Sequence, residues 1–365
     1  MIITADHNYS GLEAWFEGKR KVLLVCDHSI KFLEDFNRKL EEIQTPKVRF
    51  SDFQPNPQYK SVVEGVRLFR SENCDAIAAV GGGSAMDVAK CIKLYSNLPG
   101  TGEHGRWLNE AVIPNHIPFL AMPTTAGTGS EATRYAVIYY QGVKQSVTSQ
   151  SLIPETVLLD PDALKTLPLY QRKATMMDAL CHAIESYWSV NSTEESKRYG
   201  REAIQGVIAN MEGYLKNTKE GNAGMMRAAH TAGKAINITQ TTAGHAMCYK
   251  ITSLFKVAHG HGAILCNRIL FPWMVENTHK STDPRGEAYL KKTLEEIGHA
   301  MGCRDAWSGA QRLSEIFKSL ELEVPAAAKE QYQELKNSVN PVRLKNHPMA
   351  LDEDTIDALY HHILR

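Results

Sequence analysis

At 365 residues the chain has room for two domains, each able to bury its own core. Its 41 basic and 41 acidic side chains cancel, which removes any electrostatic case for nucleic acid or an anionic membrane as partner and leaves small-molecule chemistry as the default. Seven cysteines, odd in number and without a Cys-x-x-Cys pair, read as reduced thiols; with no signal-peptide pattern and no 18-residue apolar run, the expectation is a cytoplasmic protein.

The first stretch alternates short β-rich runs with amphipathic ones. Strands are predicted at 21–26, 48–50, 75–80 and 117–122, and helices over about 30–44 and 58–72, the order that right-handed βαβ units require. Residues 135–147 read as a hairpin turning near Gln141-Gly142, and 157–161 as a last strand. From Leu164 onward β-branched runs vanish and helical patterns continue to the C-terminus, for instance at 202–215, 225–238 and 290–301. The expected architecture is an α/β doubly wound parallel-sheet domain over residues 1–161 and an all-α domain over 162–365, with no low-complexity linker between them.

Directly after the strand ending at Val80 stands Gly81-Gly82-Gly83-Ser84. Glycines let a backbone approach a pyrophosphate, and the amides of the following helix N-terminus supply donors and a favourable dipole. The plain alternative is a tight βα turn with no ligand. A second loop, Pro123 to Glu131, is rich in small hydroxyl residues and glycines and follows the next strand, at the sheet edge where such folds bind ligands. Asp27 ends the first strand, placed to bond an adenosine ribose and repel a 2′-phosphate, which favours NAD(H) over NADP(H). Its alternative role is a helix cap for the stretch after Ser29.

Asp178 and His182 are four apart in a run of helical periodicity, so carboxylate and imidazole share a face one turn apart. Alone, such a pair is more often a salt bridge. His245 and His259 are fourteen apart, which on one continuous helix would separate them by roughly 21 Å. They can share an ion only if the chain reverses between them, and Lys256 to Ala258 is the plausible place, leaving His259 near the start of the next helix. One Asp and three imidazoles suit Fe(II) or Zn(II) better than Mg²⁺ or Ca²⁺, and leave a coordination position for a substrate oxygen.

Taken in order, Gly81-Gly-Gly-Ser-x-x-Asp87, the loop 123–131, Leu159-Asp-Pro161, Asp178-Ala-Leu-x-His-Ala-Ile-Glu185, and Gly244-His245 with His259-Gly260 resemble the iron-containing, or group III, alcohol dehydrogenases over essentially the full length. The resemblance implies an N-terminal dinucleotide-binding domain, a helical C-terminal domain, a metal in the cleft between them, and a homodimer or larger homo-oligomer. It implies Asp178, His182, His245 and His259 as metal ligands, and Gly82, Gly83, Ser84, Asp87, Thr124, Thr125, Thr128 and Lys144 as cofactor contacts. Two positions depart from the family pattern. Met176 replaces a glycine, and Tyr249 stands where a histidine often assigned to proton relay is usual, so that Tyr249, His261 or solvent would deliver the proton.

The segment 234–253 with His259-Gly-His261 looks most like the branch that reduces phosphonoacetaldehyde to 2-hydroxyethylphosphonate or sulfoacetaldehyde to isethionate. The implied reaction is hydride transfer from NADH to a metal-polarised short-chain aldehyde. An anionic aldehyde needs a fixed cation and hydroxyl donors, for which Lys250, Thr252 and Arg134 are the candidates. On a regular helix Lys250 lies about 140° from the His245 face, so it reaches the site only if that helix is irregular or the side chain curls back. Competing readings are a glycerol- or diol-type dehydrogenase, a dehydroquinate synthase-like lyase, and a non-catalytic nucleotide-binding scaffold. Cys181 and Cys248 flank the ligands and read as small buried thiols.

Overall fold

Val22–Cys26 and Ala76–Gly81 are buried at every position, the signature of parallel strands covered on both faces. The computed structural model describes residues 1–5, 9–339 and 344–365, divided into two units, 1–167 and 168–365. Among the described residues, eight strands fall in the first unit: β1 (Ile2–Thr4), β2 (Val22–Cys26), β3 (Lys47–Phe50), β4 (Ala76–Gly81), β5 (Phe119–Pro123), β6 (Tyr135–Tyr140), β7 (Val143–Thr148) and β8 (Thr156–Leu159). Six form a parallel sheet in the order β1-β8-β5-β4-β2-β3. Alternation along β2 and β4 divides the core: Leu23, Val25, Ile77 and Ala79 face one cluster, and Val22, Leu24, Ala76 and Ala78 the other. That is a doubly wound sheet.

Helices α1 (Ser10–Phe16), α2 (Glu34–Glu42), α3 (Tyr59–Ser71) and α4 (Gly83–Tyr95) belong to this unit. β6 and β7 form the expected hairpin, with Gln141 and Gly142 both at positive φ (51° and 76°), as a two-residue turn between twisted strands needs. Two details differ from the sequence reading. The predicted helix over 30–44 is a 3-10 turn, His28–Phe32, followed by α2. β1 and α1 had no strand or helix predicted for them; β1 gains its order from pairing with β8. The two units meet at Leu167/Pro168, a few residues beyond the 161/162 boundary read from the sequence, and Ala163 in the 3-10 turn Pro161–Leu164 packs into the first unit's core.

Among the described residues the second unit is helical, with α5 (Leu169–Trp188), α6 (Glu194–Leu215), α7 (Lys219–Thr239), α8 (Ala243–Phe255), α9 (His259–Glu276), α10 (Glu287–Ala300), α11 (Ala306–Ser319), α12 (Lys329–Asn337) and α13 (Glu353–Ile363). α5 is buried without interruption from Met176 to Trp188 and packs on α6, α7 and α9, so it is the central helix. α6 and α7 start earlier than their apolar patterns because Thr193 and Thr218 cap polar first turns. Among the described residues no helix is long and apolar enough to cross a membrane.

His347 is buried beside Trp188, and neither of its ring nitrogens has a hydrogen-bond partner among the described residues. Burial pushes its pKa down from 6.5 to about 4. A depressed histidine contributes stability that is complete above pH 6.5 and is lost as pH falls through 4, here about 3 kcal/mol. Replacing His347 by Leu should therefore flatten the fall of melting temperature between pH 6.5 and 4. Melting curves that stay parallel to wild type across that window would sink this assignment.

Candidate metal centre and phosphate cradle

In the first unit, β4 ends at Gly81, whose φ of 153° and approach to Asp27 both require glycine: a Cβ there would lie 2.3 Å from Asp27 Oδ2. Asp27 Oδ2 accepts the Gly82 amide at 2.9 Å, and Oδ1 accepts the Ser29 amide at 2.9 Å and its hydroxyl at 2.5 Å. The cap geometry is thus realised, and the same carboxylate clamps the glycine turn. Thr124 donates its amide to Gly81 O (3.0 Å) and its Oγ1 lies 2.9 Å from Ser29 Oγ, while Thr125 and Thr128 lie against Gly82 and Gly83. Both loops therefore meet at the start of α4. No side chain caps that helix, and its first amides, near Gly83 and Ser84, are those without an intrahelical acceptor.

Asp87, one turn in, organises protein: Oδ1 accepts the Ser130 hydroxyl at 3.0 Å and Oδ2 the Val137 amide at 3.1 Å. Burial raises its pKa to about 6, against the pull of Lys90 and, more weakly, Lys144 on the hairpin. Lys90 was not foreseen as a site residue. Its fully buried ammonium donates to Ser130 O and Oγ, Thr133 O and Oγ1, and Tyr135 O, at 2.6 to 3.1 Å, and burial lowers its pKa to about 8. A lysine flanked by Val88, Ala89, Cys91 and Ile92 was the available signal. Lys90→Met would strand these acceptors, so a stability loss on the order of 3 kcal/mol is expected, with weaker NADH binding. Denaturant titration beside NADH titration checks this; unchanged values in both would refute it. Arg134 rests over the Tyr135 ring, 5.2 Å from its centroid, with Nε 3.1 Å from the phenol oxygen.

In the second unit, α5 presents Asp178 and His182, α8 presents His245 and α9 begins with His259. The chain reverses at Lys256, which adopts the left-handed conformation (φ 57°), at the place anticipated. Asp178 Oδ1 lies 3.4 Å from His245 Nε2, 3.9 Å from His182 Nε2 and 3.9 Å from His259 Nε2. The His182 and His245 rings stack at 4.5 Å, and ligand atoms of Asp178, His245 and His259 all lie within 4.8 Å of one another. Donors about 2.0–2.2 Å from one shared ion stand roughly 3–4 Å apart, so these side chains fit a divalent cation. Burial would raise the Asp178 carboxyl, but the three imidazoles hold it well below the usual carboxylate range.

Behind the cluster sits Glu185, which sequence reasoning passed over although it closes the Asp178 motif. Fully buried, it takes His245 Nδ1 at 2.6 Å, the Thr242 amide and hydroxyl at 2.6 and 2.8 Å, and Asn267 Nδ2 at 2.9 Å. Burial pushes its pKa up, but His245 and the other donors bring it down to about 2; the same pairing raises His245 to about 10. A carboxylate on Nδ1 fixes the tautomer that aims Nε2 at Asp178.

Of four further candidates, one lies beside the cluster and three bond elsewhere. Tyr249 stacks on His259 (5.6 Å, 14°) beside the cluster's most exposed ligand, His259 being 38% exposed. His261 is turned away, with Nδ1 3.1 Å from Tyr170 Oη and Nε2 2.8 Å from Glu323 O, so both nitrogens are engaged and the relay role is not what its geometry favours. α8 is regular, and Lys250 pairs with Glu334 at 2.5 Å instead of curling back. Thr252 returns its hydroxyl to Cys248 O at 3.0 Å. Cys181 and Cys248 are buried cysteines that form no disulfide, and Cys248 Sγ lies 3.8 Å from His259 Nδ1.

Residues 2–161 match the family model for iron-containing alcohol dehydrogenase, and 173–364 match that for the Fe-containing alcohol dehydrogenase family C-terminal domain. The chain is 32% identical over 262 residues to an NAD-dependent methanol dehydrogenase of Bacillus methanolicus, covering 70% of this chain and 68% of that one. It is 29% identical over 311 residues to a phosphonoacetaldehyde reductase of Streptomyces viridochromogenes, covering 82% and 78%. Among solved structures, a sulfoacetaldehyde reductase from Bifidobacterium kashiwanohense in complex with NAD+ superposes with a TM-score of 0.89 at 23% identity, covering 100% of this chain and 96% of that one. An iron-containing alcohol dehydrogenase from Thermotoga maritima gives 0.81 at 26%, covering 100% and 97%. With a family model matched over each unit, the chain belongs to the iron-containing alcohol dehydrogenase family and is an NAD-dependent alcohol dehydrogenase or aldehyde reductase.

Proposed function

We propose that this enzyme reduces a short-chain aldehyde with NADH at a divalent cation held by Asp178, His182, His245 and His259. The observation that carries the reading is the convergence of three imidazole Nε2 atoms on one buried Asp178 oxygen. When bound, the cation supplies Lewis-acid polarisation of a carbonyl and the nicotinamide supplies hydride. Fe(II) is the first choice of metal and Zn(II) the second, since imidazole-rich sites accept either. Glu185 orients His245, and Asp178 offsets part of the charge. In the first unit, the α4 amides near Gly83 and Ser84 bind phosphate, with Gly82, Asp87, Thr124, Thr125, Thr128 and Lys144 around it; Asp27 faces the ribose and disfavours NADPH. Tyr249, next to the exposed edge of His259, delivers the proton.

The finer assignment, to an aldehyde carrying a phosphonate or sulfonate, is supported by the reactions for which two relatives are named. Lys250 lends it little, because its charge is matched by Glu334. A homodimer or larger homo-oligomer is part of the same reading and is checked by light scattering. The deciding experiment strips the protein of metal, restores Fe(II) or Zn(II), and follows NADH consumption with propanal, phosphonoacetaldehyde, sulfoacetaldehyde and, in reverse with NAD+, glycerol and 1,2-propanediol. Metal-dependent NADH oxidation by an aldehyde is expected, with NADH favoured over NADPH and that preference narrowed in Asp27→Ser. Activity that survives chelation, or no turnover of any aldehyde by metal-loaded protein, would overturn the proposal.

A further inference from the structure

His259 is the ligand candidate least held by burial, at 38% exposed, and it is the first residue of a helix that follows a left-handed reversal. Its N-cap residue, Ala258, brings no side-chain hydrogen bond to the helix. Something else must fix where α9 starts, since an imidazole displaced by about 1 Å no longer meets the other three donors.

The start is tied from both sides. Ala258 donates its amide to Tyr170 Oη at 2.9 Å, and that same oxygen lies 3.1 Å from His261 Nδ1. His261 Nε2 lies 2.8 Å from the carbonyl of Glu323, which can only accept. Nε2 therefore carries the proton, Nδ1 is bare, and the tyrosine hydroxyl must donate to it. The chain of bonds runs in one direction: Ala258 N–H to Tyr170 Oη, Tyr170 O–H to His261 Nδ1, His261 Nε2–H to Glu323 O. Every polar atom in it is satisfied. His259 is bracketed between residues 258 and 261, and Tyr170 stands two turns upstream of Asp178 on α5, the helix that also carries His182. The first turn of α9 lies so close to α5 that a Cβ on Gly260 would come 2.0 Å from Ala174 O and 2.6 Å from Asp178 Cβ. One helix thus holds two ligands and, through Tyr170, sets the position of a third.

Resting on the metal-centre reading above, we propose that Tyr170 and His261 are positioning residues that lock His259 into the ligand set, and that metal retention, not only activity, depends on them. The test uses full-length, metal-free protein titrated with Zn(II) against a chromophoric chelator, alongside NADH titration and thermal melting. Tyr170→Phe keeps the ring and removes the hydroxyl. It should lower Zn(II) affinity about tenfold or more, with NADH affinity and the metal-free melting temperature close to wild type. His261→Gln, which can offer both an acceptor and a donor, should retain more affinity than His261→Leu. Zn(II) affinity within about twofold of wild type in Tyr170→Phe would overturn the proposal. A loss matched by an equal drop in metal-free melting temperature would overturn it too, as the mark of general loosening. Wild type that fails to bind Zn(II) would bring down the metal centre itself and this inference with it.

Discussion

Asp178→Asn is expected to give a folded chain that binds NADH, retains little metal and reduces no aldehyde. The asparagine is nearly isosteric, so α5 keeps its packing, and the change removes a charge and little else. That charge is what three imidazoles face at 3.4 to 3.9 Å. A neutral amide in the same place offers a weaker oxygen donor to a dication and can turn an N–H toward it. Lewis-acid assistance is worth several kcal/mol, so turnover should fall by about 10³-fold or more. NADH binding is expected to survive because the glycine cradle is built entirely from the first unit, from Asp27, Gly82, Thr124 and their neighbours. Metal analysis of purified protein and a fluorescence titration with NADH read the two halves separately. A variant with wild-type metal content would remove Asp178 from the ligand set, and one that loses NADH binding in parallel would show that the change spread beyond the site.

What the sequence made legible follows from how far each signal reaches along the chain. β2, β4 and β5 are buried on both faces and so stand out as unbroken apolar runs, whereas β1 is three residues long and exists through its pairing with β8. The Asp178–His182 pair is a local, one-turn signal on α5. Uniting it with His245 and His259 needed a reversal that the Lys256 region supplies, yet only tertiary structure shows the two pairs meeting. Glu185 closes the Asp178 motif and Lys90 lies three residues beyond the Asp87 one, yet nothing local announces that a charged side chain will be wholly buried and saturated with partners. His261 and Lys250 show the opposite limit of a local signal. Each is close in sequence to a ligand, but His261 is committed to Tyr170 and Glu323, and the regularity of α8 carries Lys250 off the His245 face toward Glu334.

Glu185→Gln should weaken metal binding without touching any ligand atom. The carboxylate takes bonds from His245 Nδ1, Thr242 N and Oγ1, and Asn267 Nδ2, all of them donors in this arrangement. An amide has one accepting oxygen, so its NH2 must confront either the Thr242 amide or the pair formed by His245 and Asn267. If it faces His245, the imidazole can keep a bond only by surrendering the proton on Nδ1, which moves that proton to Nε2, the atom aimed at Asp178. The ligand would then hold a proton where a cation has to bind. Breaking a buried charged pair on one side typically costs about 3–5 kcal/mol, so a lower melting temperature is expected as well. Metal affinity should drop by about 10- to 100-fold. A purely structural role would lower the melting temperature of the metal-free and metal-loaded forms alike; loss of His245 orientation should in addition shrink the gain in melting temperature that metal addition produces. A variant whose gain on adding Zn(II) equals that of wild type would show that Glu185 supports the fold without tuning the site.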